Sequence, residues 1–158
     1  MIRELRNEEV PLAAGIIRRA FATVAEDFGL TEENCAMHPT FFTEEQLQGE
    51  IERGLHMFLL EEGGSPVGVV GLRRLEDGTT ALERLAVLPE YRHQGYGMQL
   101  VEFICRHASE AGSEKVSLQI IDEHAMLKDW YTRLGFNAIE VRQFPHLPFN
   151  VCFMEKAL

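Results

Sequence analysis

Long apolar runs are missing from this 158-residue chain, and none approaches the roughly 20 residues that a membrane-spanning helix needs. Cysteine is scarce: Cys35, Cys105 and Cys152 are odd in number and scattered. That argues against a disulfide framework and fits a reducing cytoplasm. Basic residues are outnumbered, 15 Lys and Arg against 25 Asp and Glu, and the net charge of −10 argues against nucleic acid as a principal partner. Arg3, Glu4, Arg6, Glu8 and Glu9 crowd the start of the chain, so no secretory leader is expected there. Repeats, linkers and low-complexity tracts are lacking as well. What is present is 46% hydrophobic and 25% charged, an ordinary globular composition, with length for one domain over 1–158 that buries roughly 70% of its unfolded surface. The acidic balance serves solubility, and it would also draw in a cationic partner such as an amine.

Ile2 to Arg6 alternates apolar and charged residues and reads as a first strand. Asn7 is placed to cap a helix with Glu8 and Glu9 in its first turn; Leu12, Ile16, Ile17, Ala20, Phe21, Val24 and Phe28 form its apolar stripe, and Gly29 ends it. Leu30 to Phe42 has no period. Cys35 and His38 lie three apart within it, but two ligands without a second pair make a poor metal site. A loop covering an acceptor pocket fits its length and its aromatic pair, Phe41–Phe42. Thr43-Glu44-Glu45-Gln46 is a capping box that opens a short helix. Met57–Glu61 and Pro66–Leu75 read as a hairpin joined by Gly63-Gly64-Ser65, and Asp77-Gly78 turns into a third strand that carries Glu83.

The central stretch runs from Thr79 to Gly112. An apolar run is broken by Pro89, a polar turn bearing glycines follows, and Leu100, Val101, Ile104, Cys105, Ala108 and Ala111 recur at helical spacing. Strand, glycine loop and helix in that order aim a helix N-terminus and several backbone N–H groups at one point, which suits a polyphosphate. The loop reads Arg92, His93, Gln94, Gly95, Tyr96, Gly97. Its glycines allow positive φ and a close approach, while Arg92 and Gln94 can donate hydrogen bonds. A plain tight turn would also use two glycines. No Gly-Lys-Ser/Thr follows, so it is not a nucleotide-triphosphate loop, and the third glycine of a dinucleotide fingerprint is absent. A buried strand from Val116 to Ile121, a helix opening at Asp122 and ended by Gly135, and strands Ala138–Val141 and Val151–Glu155 complete the chain.

The string ERLAVLPEYRHQGYG closely resembles the acyl-coenzyme A signature of the GCN5-related N-acetyltransferases (GNAT), Arg/Gln-x-x-Gly-x-Gly/Ala after a strand ending in Ala-Val. HAMLKDWYTRLGF, His124 to Phe136, resembles the second motif of that family. The resemblance implies an α/β acyl-CoA N-acyltransferase fold, with a mixed, mostly antiparallel sheet of about seven strands flanked by four helices. It implies acetyl-CoA as co-substrate, no metal, and direct attack by an amine. The acceptor would be a small molecule or a peptide, with neither nucleic acid nor membrane as partner and a homodimer allowed. A non-catalytic acyl-CoA sensor or partner-binding domain on the same fold is the alternative.

Carried onto this chain, the resemblance has Leu85, Ala86 and Val87 pair through their backbone with the pantetheine arm, and Arg92 to Gly97 hold the diphosphate. An amine with a reference pKa of about 10 must lose a proton before it attacks a thioester. Glu83 is the base the pattern offers; many relatives carry the carboxylate two residues earlier, where this chain has Ala81. His56, His93 or a water chain are the alternatives, and a surface Glu83–Arg84 pair is the plain structural one. Tyr131 is the candidate acid for the departing thiolate, unless it is only a core aromatic beside Trp130. His124 stands seven residues before it, two helical turns away on the same face, where the family usually has an Asn that binds the cofactor arm. Phe28–Phe42 and Phe144–Phe149 would build the acceptor pocket. The cysteines read as packing residues rather than as acyl carriers.

Overall fold

The computed structural model describes residues 1–158. Seven strands and four helices follow one another as β1 (Ile2–Glu4), α1 (Val10–Phe28), α2 (Glu44–Glu52), β2 (His56–Glu62), β3 (Ser65–Arg74), β4 (Thr80–Val87), α3 (Tyr96–Glu110), β5 (Lys115–Ile121), α4 (Ala125–Arg133), β6 (Asn137–Gln143) and β7 (Asn150–Ala157). The strands form one mixed sheet in the order β1-β2-β3-β4-β5-β7-β6. This is the element order and the fold class that the hydrophobic periods and the motif resemblance lead to. The residues pack as two compact units, one of 1–73 with 82–104 and the other of 74–81 with 105–158. No helix is long and apolar enough to cross a membrane.

In the first unit, α1 ends where the sequence says, on Gly29 with φ 62°. Its start differs. Asn7–Glu9 forms a short 3-10 turn, and Glu9 rather than Asn7 supplies the capping oxygen, accepting from the Arg6 amide at 2.8 Å and from Arg3 at 2.8 and 2.7 Å. The buried face also sits a little around the helix from the expected stripe. Val10, Ala13, Ala14, Ile16, Ile17 and Ala20 are buried, whereas Leu12 is 40% exposed. Alanines let the helix axis lie close to its neighbours, so the larger Leu12 turns outward. The Thr43 capping box forms as expected, with Gln46 N–H donating to Thr43 Oγ1 at 3.1 Å and Thr43 N–H to Gln46 Oε1 at 2.8 Å.

The β2–β3 hairpin closes on Gly63 and Gly64, both at positive φ, as a two-residue turn of the primed kind requires. Two further glycines on β3 set the spacing to β4. A Cβ on Gly68 would stand 2.6 Å from the Ala86 carbonyl oxygen, and one on Gly71 would stand 2.7 Å from Met57 Sδ and 3.2 Å from the Glu83 carbonyl oxygen. Only glycine permits that approach.

In the second unit, β4 begins with a parallel ladder to β5 at Thr80–Val116 and Ala81–Ser117. The buried Thr80 and Ser113 hydroxyls satisfy each other at 2.7 Å, which keeps two polar groups affordable inside. β5 and β6 each pair antiparallel with β7. α4 starts later than the sequence suggests. Asp122 makes an ion pair with Lys128, and His124 takes the cap position, its Nδ1 accepting from Leu127 N–H at 3.3 Å. The helix ends on Gly135 with φ 99°, and Phe136 behind it is fully buried.

The backbone carbonyl of Ala86 cannot give way as a flexible side chain could, so Gly68→Ala should cost about 1–3 kcal/mol of folding stability, the usual range for overpacking. Urea unfolding of the variant beside the parent measures it, and an unchanged midpoint would show that β3 and β4 have slack there.

Candidate active site

The loop after β4 is built to present a helix N-terminus. Leu88 N–H donates to the Val67 carbonyl at 2.9 Å, which anchors the end of the strand, and Pro89–Tyr91 then makes a 3-10 turn. His93 and Gly95 both have positive φ, 62° and 85°, and the Gly95 carbonyl accepts the first α3 bond, from Gln99 N–H at 3.1 Å. The amides of Tyr96, Gly97 and Met98 are therefore the first-turn donors that have no acceptor within the helix. His93, Gln94 and Gly95 are exposed, and a Cβ on Gly95 would meet no protein atom within 4 Å. Exposed positive-φ residues leading into open helix amides fit an anionic group such as a diphosphate. Gly97 serves differently from expectation, because it lies inside the first turn of α3 and has no positive φ.

Arg92 departs further from its expected role. Its guanidinium donates to the Ala20 carbonyl at 2.7 Å and to Thr23 Oγ1 at 3.1 Å, so it straps the loop to α1 instead of standing over it. The carbonyl lies at the part of α1 that the turn before the loop abuts, and a charged donor to a half-enclosed acceptor is a strong hydrogen bond.

β4 carries the second feature. Arg84 has φ 55°, a left-handed residue inside a strand, and this kink interrupts the strict alternation of faces along β4. Glu83, Arg84 and Leu85 are consecutively half-buried. Glu83 Oε2 accepts from Arg73 Nε at 2.9 Å, and Arg73 also binds a Glu50 oxygen and, at 2.9 Å, the Arg53 carbonyl. Arg53 completes the chain on Glu50 at 2.9 Å; its hydrogen bond, ahead of the fields of Arg73 and Arg84, holds the Glu50 carboxyl below its ordinary range. Glu83 is thus part of a network that joins α2, β3 and β4, rather than a surface pair with Arg84. Sequence reading passed over Glu50 and Arg73, which carry no motif and stand among other charges, Glu52 and Arg53 beside the one and Arg74 beside the other.

Residues 30–42 are more firmly built than a lid. Leu30, Cys35, His38 and Phe42 are buried, Asn34 caps the turn from the Thr31 amide to the Gly29 carbonyl, and Arg18 donates to the Phe42 carbonyl at 2.8 Å. His38 packs edge-on to Phe21 and Phe41 and accepts from Thr40 N–H at Nδ1. Burial first, and then the charge of Arg84, pushes its pKa down from 6.5 to about 4. No cluster of three His, Cys, Asp or Glu side chains is placed to hold a metal.

In the second unit Tyr131 is 5% exposed, edge-on to Trp130 and Phe136, and burial raises its phenol well above the ordinary value. His124 belongs to the cap of α4 rather than to its helical face, and its Nδ1 is engaged there. His56 is exposed on β2.

The sequence model of the acetyltransferase (GNAT) family matches residues 20–136, which takes in the last part of α1, the glycine loop before α3 and Tyr131. The chain belongs to the GNAT acetyltransferase family. It is 24% identical over 137 residues to the uncharacterized N-acetyltransferase YjcF of Bacillus subtilis, a match covering 84% of this chain and 94% of that one. It is 30% identical over 90 residues to the mycothiol acetyltransferase of Stackebrandtia nassauensis, where the match takes 51% of this chain and 29% of the relative. Among solved structures, the PaiA N-acetyltransferase of Thermoplasma acidophilum in complex with coenzyme A superposes with a TM-score of 0.83 at 18% identity, covering 100% of this chain and 98% of that one. The ribosomal-protein-S18-alanine N-acetyltransferase of Escherichia coli does so at 0.79 and 20% identity, covering 99% and 92%. The structural likenesses carry the fold that the motif resemblance implies.

Two outcomes test the geometry. Arg92→Ala should lower stability by about 1.5–3 kcal/mol without any ligand present, the usual loss for a hydrogen bond from a charged group; an unchanged urea midpoint would leave the loop held by other contacts. For His38, the unfolded imidazole holds its proton up to about pH 6.5 and the folded one only to about 4. The folded state therefore keeps its full stability above pH 6.5 and loses about 2–3 kcal/mol as pH falls toward 4. His38→Gln should flatten that part of the stability–pH curve, and a variant curve parallel to the parent would contradict the assignment.

Proposed function

We propose that the chain is an N-acetyltransferase that moves acetyl from acetyl-CoA to an amine acceptor by direct attack. The observation that carries this is the strand–loop–helix unit at Leu85–Gly97, in which positive φ at His93 and Gly95 leads into the open amides of α3. In this reading the backbone of His93 to Gly97, with the side chains of Gln94 and Tyr96 beside it, receives the diphosphate. The main-chain groups of Leu85, Ala86 and Val87 pair with the pantetheine arm, and a β4 N–H faces the thioester oxygen, where negative charge develops in the transition state. His124, at the α4 cap, serves the arm where the family has an Asn. Glu83 takes the proton from the acceptor's ammonium; Arg73 donates to Oε2 and so orients the carboxylate with Oε1 toward the acceptor. Tyr131 gives its phenolic proton to the leaving thiolate. Its raised pKa keeps the O–H in place across the working pH range as a hydrogen-bond donor to the thiolate, while making it a weaker acid than a free phenol.

The acceptor is a small-molecule or peptide amine, and the whole of 1–158 acts as the acetyltransferase domain, in the cytoplasm. One observation favours the second reading, a non-catalytic acyl-CoA sensor: the proposed base is already engaged in an ion pair with Arg73.

Calorimetry with acetyl-CoA and a free-thiol assay over a broad amine panel separate the two. Gly95→Asp should weaken acetyl-CoA binding at least about 10-fold, since a carboxylate would meet the diphosphate. Tyr131→Phe should keep acetyl-CoA affinity while kcat falls about 10- to 1000-fold with no rescue at high pH. Glu83→Gln should be slowest at neutral pH and partly recovered in alkali, where free amine forms unaided. Binding without turnover on any amine would support the sensor, and unchanged affinity in Gly95→Asp would remove the basis of both.

A further inference from the structure

Charges around the kink of β4 do not balance. Arg73 engages both nearby carboxylates, Glu50 and Glu83, and Arg53 takes the remaining share of Glu50. Three guanidinium groups, those of Arg53, Arg73 and Arg84, therefore stand against two carboxylates. The surplus falls on Arg84, which enters no ion pair. Its guanidinium lies 4.3 Å from the centre of the Phe42 ring, and Phe42 is itself only 3% exposed. Nε is buried with no hydrogen-bond partner, the only buried side-chain nitrogen or oxygen in the chain so placed. An aromatic face attracts a cation but cannot accept the in-plane N–H bonds of a guanidinium. A buried, uncompensated cation is costly unless an anion joins it.

Neighbouring groups sharpen the point. Burial lowers the Arg84 pKa, and Glu83 and Glu50 offset this only in part and from a distance. His38, within the field of Arg84, is kept neutral at ordinary pH and adds neither charge nor countercharge. The residue as a whole is half-buried, so part of it stays open to solvent. The left-handed backbone at 84 is itself a strained choice for a non-glycine residue, and the chain keeps an arginine there.

We propose that Arg84 determines acceptor specificity: the acceptor is a small amine that also carries a carboxylate, which docks on the Arg84 guanidinium while the amine faces Glu83. This rests on the acetyltransferase reading above and names its substrate class. An α-, β- or γ-amino acid carries the two groups a few bonds apart. Arg84 does no proton transfer. It binds one end of the acceptor and so presents the other to the base.

The test uses the full chain with saturating acetyl-CoA and follows free thiol. The panel is the twenty common amino acids, β-alanine and 4-aminobutyrate, each beside its primary amide and its decarboxylated amine. At least one carboxylated amine should exceed its amide in kcat/KM by about 10- to 100-fold, the range of a charge-assisted pair. Arg84→Gln should bring that ratio close to one, mostly through KM, and Arg84→Lys should keep part of it. Arg84→Gly, which suits φ 55° without strain, should lose the preference just as Arg84→Gln does, so that misfolding cannot account for the loss. Acetyl-CoA affinity by calorimetry should be the same in all of them. Equal use of acids and amides by the parent chain, or no turnover of any carboxylated amine, overturns the proposal and leaves the acetyltransferase reading standing. A fall in acetyl-CoA affinity on Arg84→Gln also overturns it, since the guanidinium would then serve the cofactor. Failure of the parent chain to bind acetyl-CoA at all would sink the acetyltransferase reading, and this one with it.

Discussion

One residue in the left-handed region inside a strand, Arg84 at φ 55°, is the constraint on which the first compact unit depends. Such a backbone costs about 1–3 kcal/mol for a side chain of ordinary bulk and persists only where its surroundings over-determine it. The surroundings do so on several sides. Gly68 and Gly71 on β3 let the backbone of β4 approach so closely that a Cβ at either would collide with it or with Met57. Phe42 stacks on the guanidinium, and Arg73 holds the preceding residue, Glu83, by its carboxylate. Straightening the strand would swing Glu83 off Arg73 and carry Arg84 away from Phe42. The kink therefore fixes the direction of two side chains at once, Glu83 and Arg84.

Much of the architecture was legible because local rules and tertiary packing agree. Gly29, the Thr43 capping box, the Gly63–Gly64 turn and the Gly135 stop each need one particular residue type, and the structure uses each as the sequence suggests. The loop before α3 was legible in its backbone and less so in its side chains. Gly95 was readable as a positive-φ residue, but Gly97 sits in the helix, where glycine is tolerated rather than demanded. Arg92 could be assigned to the loop from its motif, yet its partners on α1 stand 69 and 72 positions away in the chain, beyond any local pattern. Leu12 was misplaced for a related reason. An apolar stripe counted by size favours leucine, whereas close helix packing favoured Ala13 and Ala14.

Charge shows the same divide between average and local. A net charge of −10 suggests a cationic acceptor drawn in by a negative field. Around β4 the balance is reversed, because Glu50 and Glu83 are both spent on Arg73 and Arg84 is left over. At contact distance, inside a poorly screened enclosure, the nearby guanidinium outweighs acidic residues scattered over an exposed surface and damped by salt within about 10 Å. Whole-chain charge thus speaks to solubility and to long-range attraction, and the groups within hydrogen-bond reach decide what is held.

Helix α1 links residues 40–42 and the loop before α3 within the first unit. Arg18 donates to the Phe42 carbonyl, Thr40 Oγ1 to the Arg18 carbonyl, and Arg92 to the Ala20 carbonyl and Thr23 hydroxyl. The segment that stacks on Arg84 and the loop that opens α3 are therefore tied to less than two turns of the same helix. A helix is stiff over that length, since each intervening residue is fixed by its own i→i−4 bond. The buried alanine face, which lets α1 seat deeply on the sheet, holds this stretch in register with β4. A small shift of α1 would move the Phe42 ring and the loop before α3 together, so the spacing between the two is set by helix geometry rather than by the two loops separately.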